Sequence, residues 1–212
     1  MKGETILNDL IKRYPALEPC KNDIWEACSS VIGCYLNNGQ LLVCGNGGSC
    51  ADSGHIVGEL MKSFAKKRPL DKGLAASLKS IPGERGAYIA GKLEGGLPAI
   101  SLNAHTSLFS AISNDIGADL VFAQQVAGYG REGDVLIAIS SSGDSQNVVD
   151  AAITAKAKGL KVIGLTGQTG GVMKQYCDIA ICAPSMSTPG IQEYHLPVYH
   201  TICRIVEDNM FN

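Results

Sequence analysis

Two rhythms of apolar residues alternate along the chain. In residues 4–13 apolar positions fall at Ile6, Leu7, Leu10 and Ile11, the stripe of an amphipathic helix, and Pro15 ends it. Residues 20–37 repeat the stripe through Ile24, Trp25, Ala27, Cys28, Val31, Ile32 and Tyr35, and close on Asn37-Asn38-Gly39, a helix stop. A second rhythm then begins. Short runs that are apolar throughout occur at 41–44, 98–102, 134–139, 161–166 and 178–182, and these predict strands buried on both faces. Helical segments stand between and after them, at about 50–65, 107–112, 118–129 and 145–158, a short one opening at 170–173, and a last one over 188–210. Such alternation predicts an α/β three-layer sandwich with a five-stranded parallel sheet flanked by helices. The two leading helices, within residues 1–38, need a partner for their stripes, either the sheet or another subunit.

One stretch breaks the rhythm. Between 66 and 96, Pro69, Gly73, Pro82-Gly83, Gly86, Gly91 and Gly95-Gly96 cut the chain into pieces, with room for a short helix near 74–80 and another near 86–93. The reading is an ordered insertion at 70–95 within one domain spanning 1–212.

Composition narrows the function. The net charge is −2, so no global basic field speaks for nucleic acid or anionic lipid. The one basic cluster, Lys66-Lys67-Arg68, reads as a solvated face. No apolar run approaches the roughly 20 residues that span a bilayer, and the first residues lack a signal-peptide pattern. A soluble, cytoplasmic protein is expected. The eight cysteines lack the paired spacing of a zinc ribbon and read as buried, reduced thiols.

The polar loops sit where strands end, which is where ligands collect in parallel sheets. After 41–44 comes Gly45-Asn46-Gly47-Gly48-Ser49, a small-residue turn into a helix whose N–H groups can meet a ligand. His55 and Glu59 follow at i and i+4, on one helix face; by themselves they are as well read as a surface ion pair. After 134–139 comes Ser140-Ser141-Ser142-Gly143-Asp144-Ser145, richer in hydroxyls than helix capping requires, and it reads as a phosphate cradle. No lysine follows in the spacing of a nucleotide P-loop. In the last helix Gln192 and His200 lie two turns apart. With His55 and Glu59 they make a plausible tetrahedral zinc set. Pro197 between them is expected to kink the helix. His195 is a rival ligand, or a helix-surface or interface histidine.

Taken together, Gly45-Asn46-Gly47-Gly48-Ser49, His55-x3-Glu59, Ser113-Asn114-Asp115, the serine loop, Leu165-Thr166-Gly167 and Ile191-Gln192-Glu193-x6-His200 resemble, in order, the phosphoheptose isomerases of the sugar isomerase (SIS) family. The resemblance covers nearly all of the chain outside about 70–95. It implies a flavodoxin-like SIS fold and conversion of sedoheptulose 7-phosphate to glycero-manno-heptose 7-phosphate, the first step of bacterial heptose biosynthesis. It implies that Asn46, Gly47, Gly48, Asn114 and Asp115 line the sugar site and that Ser140, Ser141, Ser142 and Ser145 hold the phosphate. His55, Glu59, Gln192 and His200 would bind one zinc ion per subunit, Gln192 and Glu59 would also face substrate, and Glu59 and His200 would form the acid–base pair. A homotetramer built on the N-terminal helices is implied as well. Four positions depart from the family pattern. Ser63 stands where an arginine is usual, Pro189-Gly190 replaces Asp-Arg, Asp144 replaces asparagine beside the phosphate, and 70–95 is additional. An isomerase of another phosphosugar therefore stays open, as does a non-catalytic SIS protein acting as a sugar-phosphate sensor or a replication-initiator-binding scaffold.

Overall fold

The structure, a computed structural model, describes residues 2–211. Two helices lead, α1 (Lys2–Arg13) and α2 (Lys21–Leu36), joined by a 3-10 turn over Pro15–Cys20. The sheet strands are β1 (Leu41–Gly45), β2 (Ala99–Ser101), β3 (Val135–Ser140), β4 (Lys161–Thr166) and β5 (Ile179–Cys182). The helices among them are α3 (Gly48–Met61), α4 (Lys72–Ser80), α5 (Glu84–Ala90), α6 (Thr106–Asp115), α7 (Val121–Tyr129), α8 (Gln146–Ala157) and α9 (Thr188–Met210). All neighbouring strands are parallel, in the order β2-β1-β3-β4-β5. The five expected strands and the three-layer α/β architecture are present.

Alternation along each strand divides the core. Leu41, Val43, Ile137, Ile139, Ile163 and Ile181 face a cluster shared with α1, α2, α3 and α9. Leu42, Cys44, Leu136, Ala138 and Val162 face the other cluster, with α6, α7 and α8. Because every side chain of a central strand meets one helix layer or the other, the strands are apolar throughout. The leading helices bury their stripes within the same chain: Leu7, Leu10, Ile24, Ala27, Cys28, Val31 and Tyr35 belong to the first cluster, packed with Val198, Ile202 and Val206 of α9. Trp25 remains 37% exposed and Leu36 66%.

Two polar staples fix the strand ends. At the N-terminal edge the buried Asp134 carboxylate accepts the Gln40 N–H (2.9 Å), the Gln40 side-chain amide (3.1 Å) and the Arg131 N–H (2.9 Å). At the C-terminal edge Asn103 donates to the Gly45 carbonyl (2.9 Å) and receives the Ser53 hydroxyl (3.2 Å), which also pairs with Ser101 (2.8 Å). The second staple sets the turn leaving β1 and with it the start of α3.

The segment 70–95 folds as an α4–α5 hairpin. Asp71 caps α4 by accepting the Leu74 N–H (2.9 Å), and the two helices approach closely at Gly86, where a Cβ would overlap the Leu78 carbonyl. Among the described residues no helix is long and apolar enough to cross a membrane.

Candidate active site

The strand order reverses direction between β1 and β3, and that is where a parallel sheet opens a crevice for ligand. Gly45 of β1 pairs with Ile139 of β3, so the glycine loop and the serine loop leave the sheet side by side. Their closeness is visible in a reciprocal amide pair: Asn46 Nδ2 donates to Asn147 Oδ1 (2.8 Å) and Asn147 Nδ2 to Asn46 Oδ1 (3.0 Å).

Gly47 begins α3 with φ +55° and no side-chain cap. Its positive φ requires glycine, and because the Ser49 and Cys50 N–H groups bond back to the Asn46 and Gly47 carbonyls (3.0 and 3.1 Å), the N–H groups left to meet a ligand are those of Gly47 and Gly48. Gly48 leaves room for a neighbour. The Gln192 side chain of α9 lies on it so closely that a Cβ would overlap Gln192 Nε2. Gln192 thus joins Asn46, Gly47 and Gly48 at the top of the crevice.

The serine loop is organised by its own hydroxyls. Ser140 Oγ–H donates to Ser145 Oγ (3.1 Å) and accepts the Gly143 N–H (3.2 Å), while Ser142 Oγ accepts the Asp144 N–H (3.1 Å). Ser145 stands at the N-cap of α8 without capping it through its side chain, so first-turn N–H groups of α8 are available to an anion. Asp144, expected to bring a carboxylate to the bound anion, is turned to other work: its Oδ1 accepts the Val172 N–H (2.8 Å) and pins the next loop.

Two turns along α3 lies a titratable cluster. His55 Nε2 faces Glu59 Oε1 at 3.1 Å, and Lys62 Nζ reaches Glu59 Oε2 at 3.4 Å. His200 of α9 meets the His55 ring edge-on, with centroids 4.9 Å apart, and packs against Phe64 at 5.4 Å. On the other side of His55, Nδ1 pairs with the Tyr199 hydroxyl (2.9 Å), and that hydroxyl donates to Asp52 (3.2 Å). Burial, then the neighbouring His55, lowers the His200 pKa, so its imidazole is held neutral. Burial raises the Asp52 carboxyl, opposed by the Tyr199 hydrogen bond.

The sequence pairs His55 with Glu59, and α9 brings His200 to them. Asn114 and Asp115 end α6, exposed, with Asn114 donating to Asp115 (2.8 Å). His195 is not a surface residue: it is 1% exposed, with Nε2 on the Thr166 carbonyl (3.2 Å). The helix α9 runs on through Pro197, from Thr188 to Met210. Arg68 corrects the expected solvated face. It is 1% exposed and donates to Glu207 (2.7 Å) and to the Glu59 carbonyl (2.6 Å). Ser63 uses its N–H on Glu94 (3.0 Å) and its Oγ on the Arg68 N–H (2.9 Å).

Sequence patterns left Asp52, Tyr199, Asn103 and Asn147 unremarked. Asp52 had a signal, since it stands three residues before His55 on the same helix.

A family description of the SIS domain matches residues 89–167. A phosphoheptose isomerase from Nitratiruptor sp. is 40% identical over 192 residues, covering 91% of this chain and 89% of that protein. The chain belongs to the phosphoheptose isomerase family. Solved structures agree: phosphoheptose isomerase GmhA from Neisseria gonorrhoeae superposes with a TM-score of 0.73 at 30% identity, covering 98% of this chain and all of that one. The phosphoheptose isomerase from Francisella tularensis gives 0.75 at 31%, covering 97% and 94%.

As donors for a metal ion the family's four positions fit in part. Among the described residues no three His, Cys, Asp or Glu side chains converge as a ligand set. Yet His200 Nε2 is buried with no hydrogen-bond partner, and His55 Nε2 looks onto the Glu59 carboxylate. A cation would satisfy the orphaned His200 nitrogen, and nitrogen and oxygen donors of this kind suit zinc.

Proposed function

We propose that this phosphoheptose isomerase family member interconverts sedoheptulose 7-phosphate and glycero-manno-heptose 7-phosphate, the first step of bacterial heptose biosynthesis. The observation that carries the reading is a largely buried carboxylate, Glu59, with its side chain 12% exposed, 3.1 Å from His55, whose ring meets His200 edge-on at 4.9 Å. Ketose–aldose exchange moves one proton between C1 and C2 through an enediol. Glu59 takes that proton and returns it to the neighbouring carbon, work worth about 10²–10⁴-fold in rate. His200, neutral at working pH, exchanges protons with the sugar oxygens. Ser140, Ser141, Ser142 and Ser145 hold the phosphate with the open N–H groups of α8. Asn46, Gly47, Gly48, Asn114, Asp115 and Gln192 line the sugar chain. His55, Glu59, Gln192 and His200 would hold one zinc ion, which when bound polarises a carbonyl and eases negative charge on its oxygen.

A homotetramer in the cytoplasm is part of the same reading. The support is the groove of about 490 Å³ beside Trp25, Ile32 and Leu36, where apolar surface of α2 is left uncovered by its own chain.

The test is to incubate purified protein with sedoheptulose 7-phosphate and follow the aldose. Glu59→Gln should lower kcat by about 10²–10⁴-fold with the fold intact. A Glu59→Gln protein as fast as wild type would remove Glu59 from the chemistry. No conversion by the wild-type protein would remove the substrate. Ser63 favours one second reading. Its hydrogen bonds are spent on Glu94 and Arg68 in the place of the usual arginine, so a different phosphoketose belongs in the same assay. A higher kcat/KM for it would reassign the substrate while keeping the reaction.

A further inference from the structure

The hydrogen bonds around His55 carry a direction. Tyr199 is 1% exposed and has one hydrogen to give. Its oxygen lies 3.2 Å from Asp52 Oδ1 and 2.9 Å from His55 Nδ1. Two arrangements are available to a neutral His55. In one, Tyr199 donates to Asp52 and accepts Nδ1–H, which leaves Nε2 a bare lone pair facing Glu59 Oε1 at 3.1 Å. In the other, Tyr199 donates to Nδ1 and His55 gives Nε2–H to Glu59, which leaves the Tyr199 oxygen against the Asp52 carboxylate with no proton between them.

Each arrangement has one opposed contact, and their surroundings decide between them. Asp52 is partly buried and Tyr199 is the one hydrogen-bond donor the described residues give it, so its mismatch would sit inside the protein with no relief. The His55–Glu59 contact opens outward on its His55 side, with that side chain 43% exposed and Glu59 12%, and a cation from solution can enter there between two lone-pair donors.

We infer that Asp52 and Tyr199 are positioning residues that lock His55 as the Nδ1–H tautomer and so present its Nε2 as a ready cation ligand. The ligand half rests on the reading of His55 as part of a zinc set; the tautomer half stands on the hydrogen bonds alone. A ligating imidazole is ordinarily oriented this way, its second nitrogen donating into a fixed acceptor, and loss of such a partner weakens metal affinity about 10–100-fold. Here the acceptor is a phenol, and its polarity is set by a carboxylate one step further out.

Two variants separate orientation from packing. Tyr199→Phe keeps the ring and removes the hydroxyl. Asp52→Asn keeps the volume, but its amide can donate to Tyr199, reversing the chain so that Tyr199 donates to Nδ1. Long-range proton–nitrogen NMR of metal-free protein at mildly alkaline pH reads the His55 tautomer, and titration with zinc ion reads affinity. Wild type should show Nδ1–H, both variants should shift to Nε2–H, and both should bind zinc about 10–100-fold more weakly. Nε2–H in wild type, or variants unchanged in both readouts, would overturn the inference. A wild type that shows Nδ1–H but takes up no zinc would overturn its ligand half. Neither measurement uses substrate, so failure here is distinct from failure of the isomerase assay.

Discussion

A phosphate is held by groups that are already aimed, and Ser140 is the residue that aims the others. It is buried, gives its hydroxyl hydrogen to Ser145 and receives Gly143 N–H. Ser140→Ala should therefore loosen the cradle by releasing Ser145 and the Gly143 N–H. Hydrogen bonds to charged groups are worth about 1.5–3 kcal/mol, so KM for the phosphorylated sugar should rise about 10–100-fold, with a smaller change in kcat because Glu59 and His200 are untouched. An equal loss in kcat at unchanged KM would place Ser140 outside the phosphate site. Side chains like Ser140 were legible in the sequence because a strand end, a hydroxyl cluster and a helix start coincide there. His195 and Arg68 were not. A histidine three residues from Gln192 and a run of basic residues carry the same letters whether they are buried or solvated. What decides is a partner far along the chain: the Thr166 carbonyl for His195, and Glu207 for Arg68.

At the scale of elements, Arg68 ties the two helices that bear the proposed acid–base pair. Its guanidinium donates to the carbonyls of Glu59 (2.6 Å) and Leu60 (2.5 Å), closing the last turn of α3. Its Nε binds Glu207 of α9, whose carboxylate also accepts the N–H groups of Phe64 (2.9 Å) and Ala65 (2.8 Å). Burial opposes ionisation of Glu207, but those two backbone bonds and Arg68 outweigh it and hold its pKa below the usual value. A carboxyl with a depressed folded pKa adds stability above its unfolded pKa, and that stability is lost as pH falls through the folded value. Glu207→Gln leaves a buried cation unpaired and should cost about 3–5 kcal/mol near neutral pH. Its urea midpoint should then fall less steeply than wild type's as the solution is acidified below pH about 4. Parallel acid profiles for the two proteins would exclude this pair from the acid response. The helices and strands themselves were readable, since periodicity needs only local sequence. Their association was not: the α1 and α2 stripes found α9 in the same chain, a pairing that no local pattern encodes.

For the whole molecule, the sheet order places its crevice between β1 and β3, and both cores lie beneath it. The α4–α5 hairpin stands outside this plan. No residue from 70 to 93 enters either core cluster, and Leu74, Ile81, Tyr88 and Leu93 are each about half exposed (48%, 55%, 53% and 50%). Its base is already closed, because Gly95 N–H donates to the Arg68 carbonyl at 3.1 Å. Residues 70–93 can therefore be removed and Pro69 joined to Glu94 by an Asn-Gly turn, leaving Arg68, Gly95 and the Glu94 contact with Ser63 in place. Shortening a loop changes closure entropy by only about 0.6 kcal/mol per halving, and 1 kcal/mol moves Tm by about 2–4 °C in a chain of this size. Replacing 24 residues by two is between three and four halvings, about 2 kcal/mol, so the shortened protein should melt cooperatively within about 10 °C of wild type. A fall of tens of degrees would mean that the hairpin supports the cores after all. Because the hairpin leaves the helix that bears Glu59 and returns to the strand beside the glycine loop, the same protein also tests specificity. If the hairpin grades the sugar, relative kcat/KM across phosphoketoses of different length should change while the melting temperature stays within that range. Equal ratios before and after excision would leave substrate choice to the crevice alone.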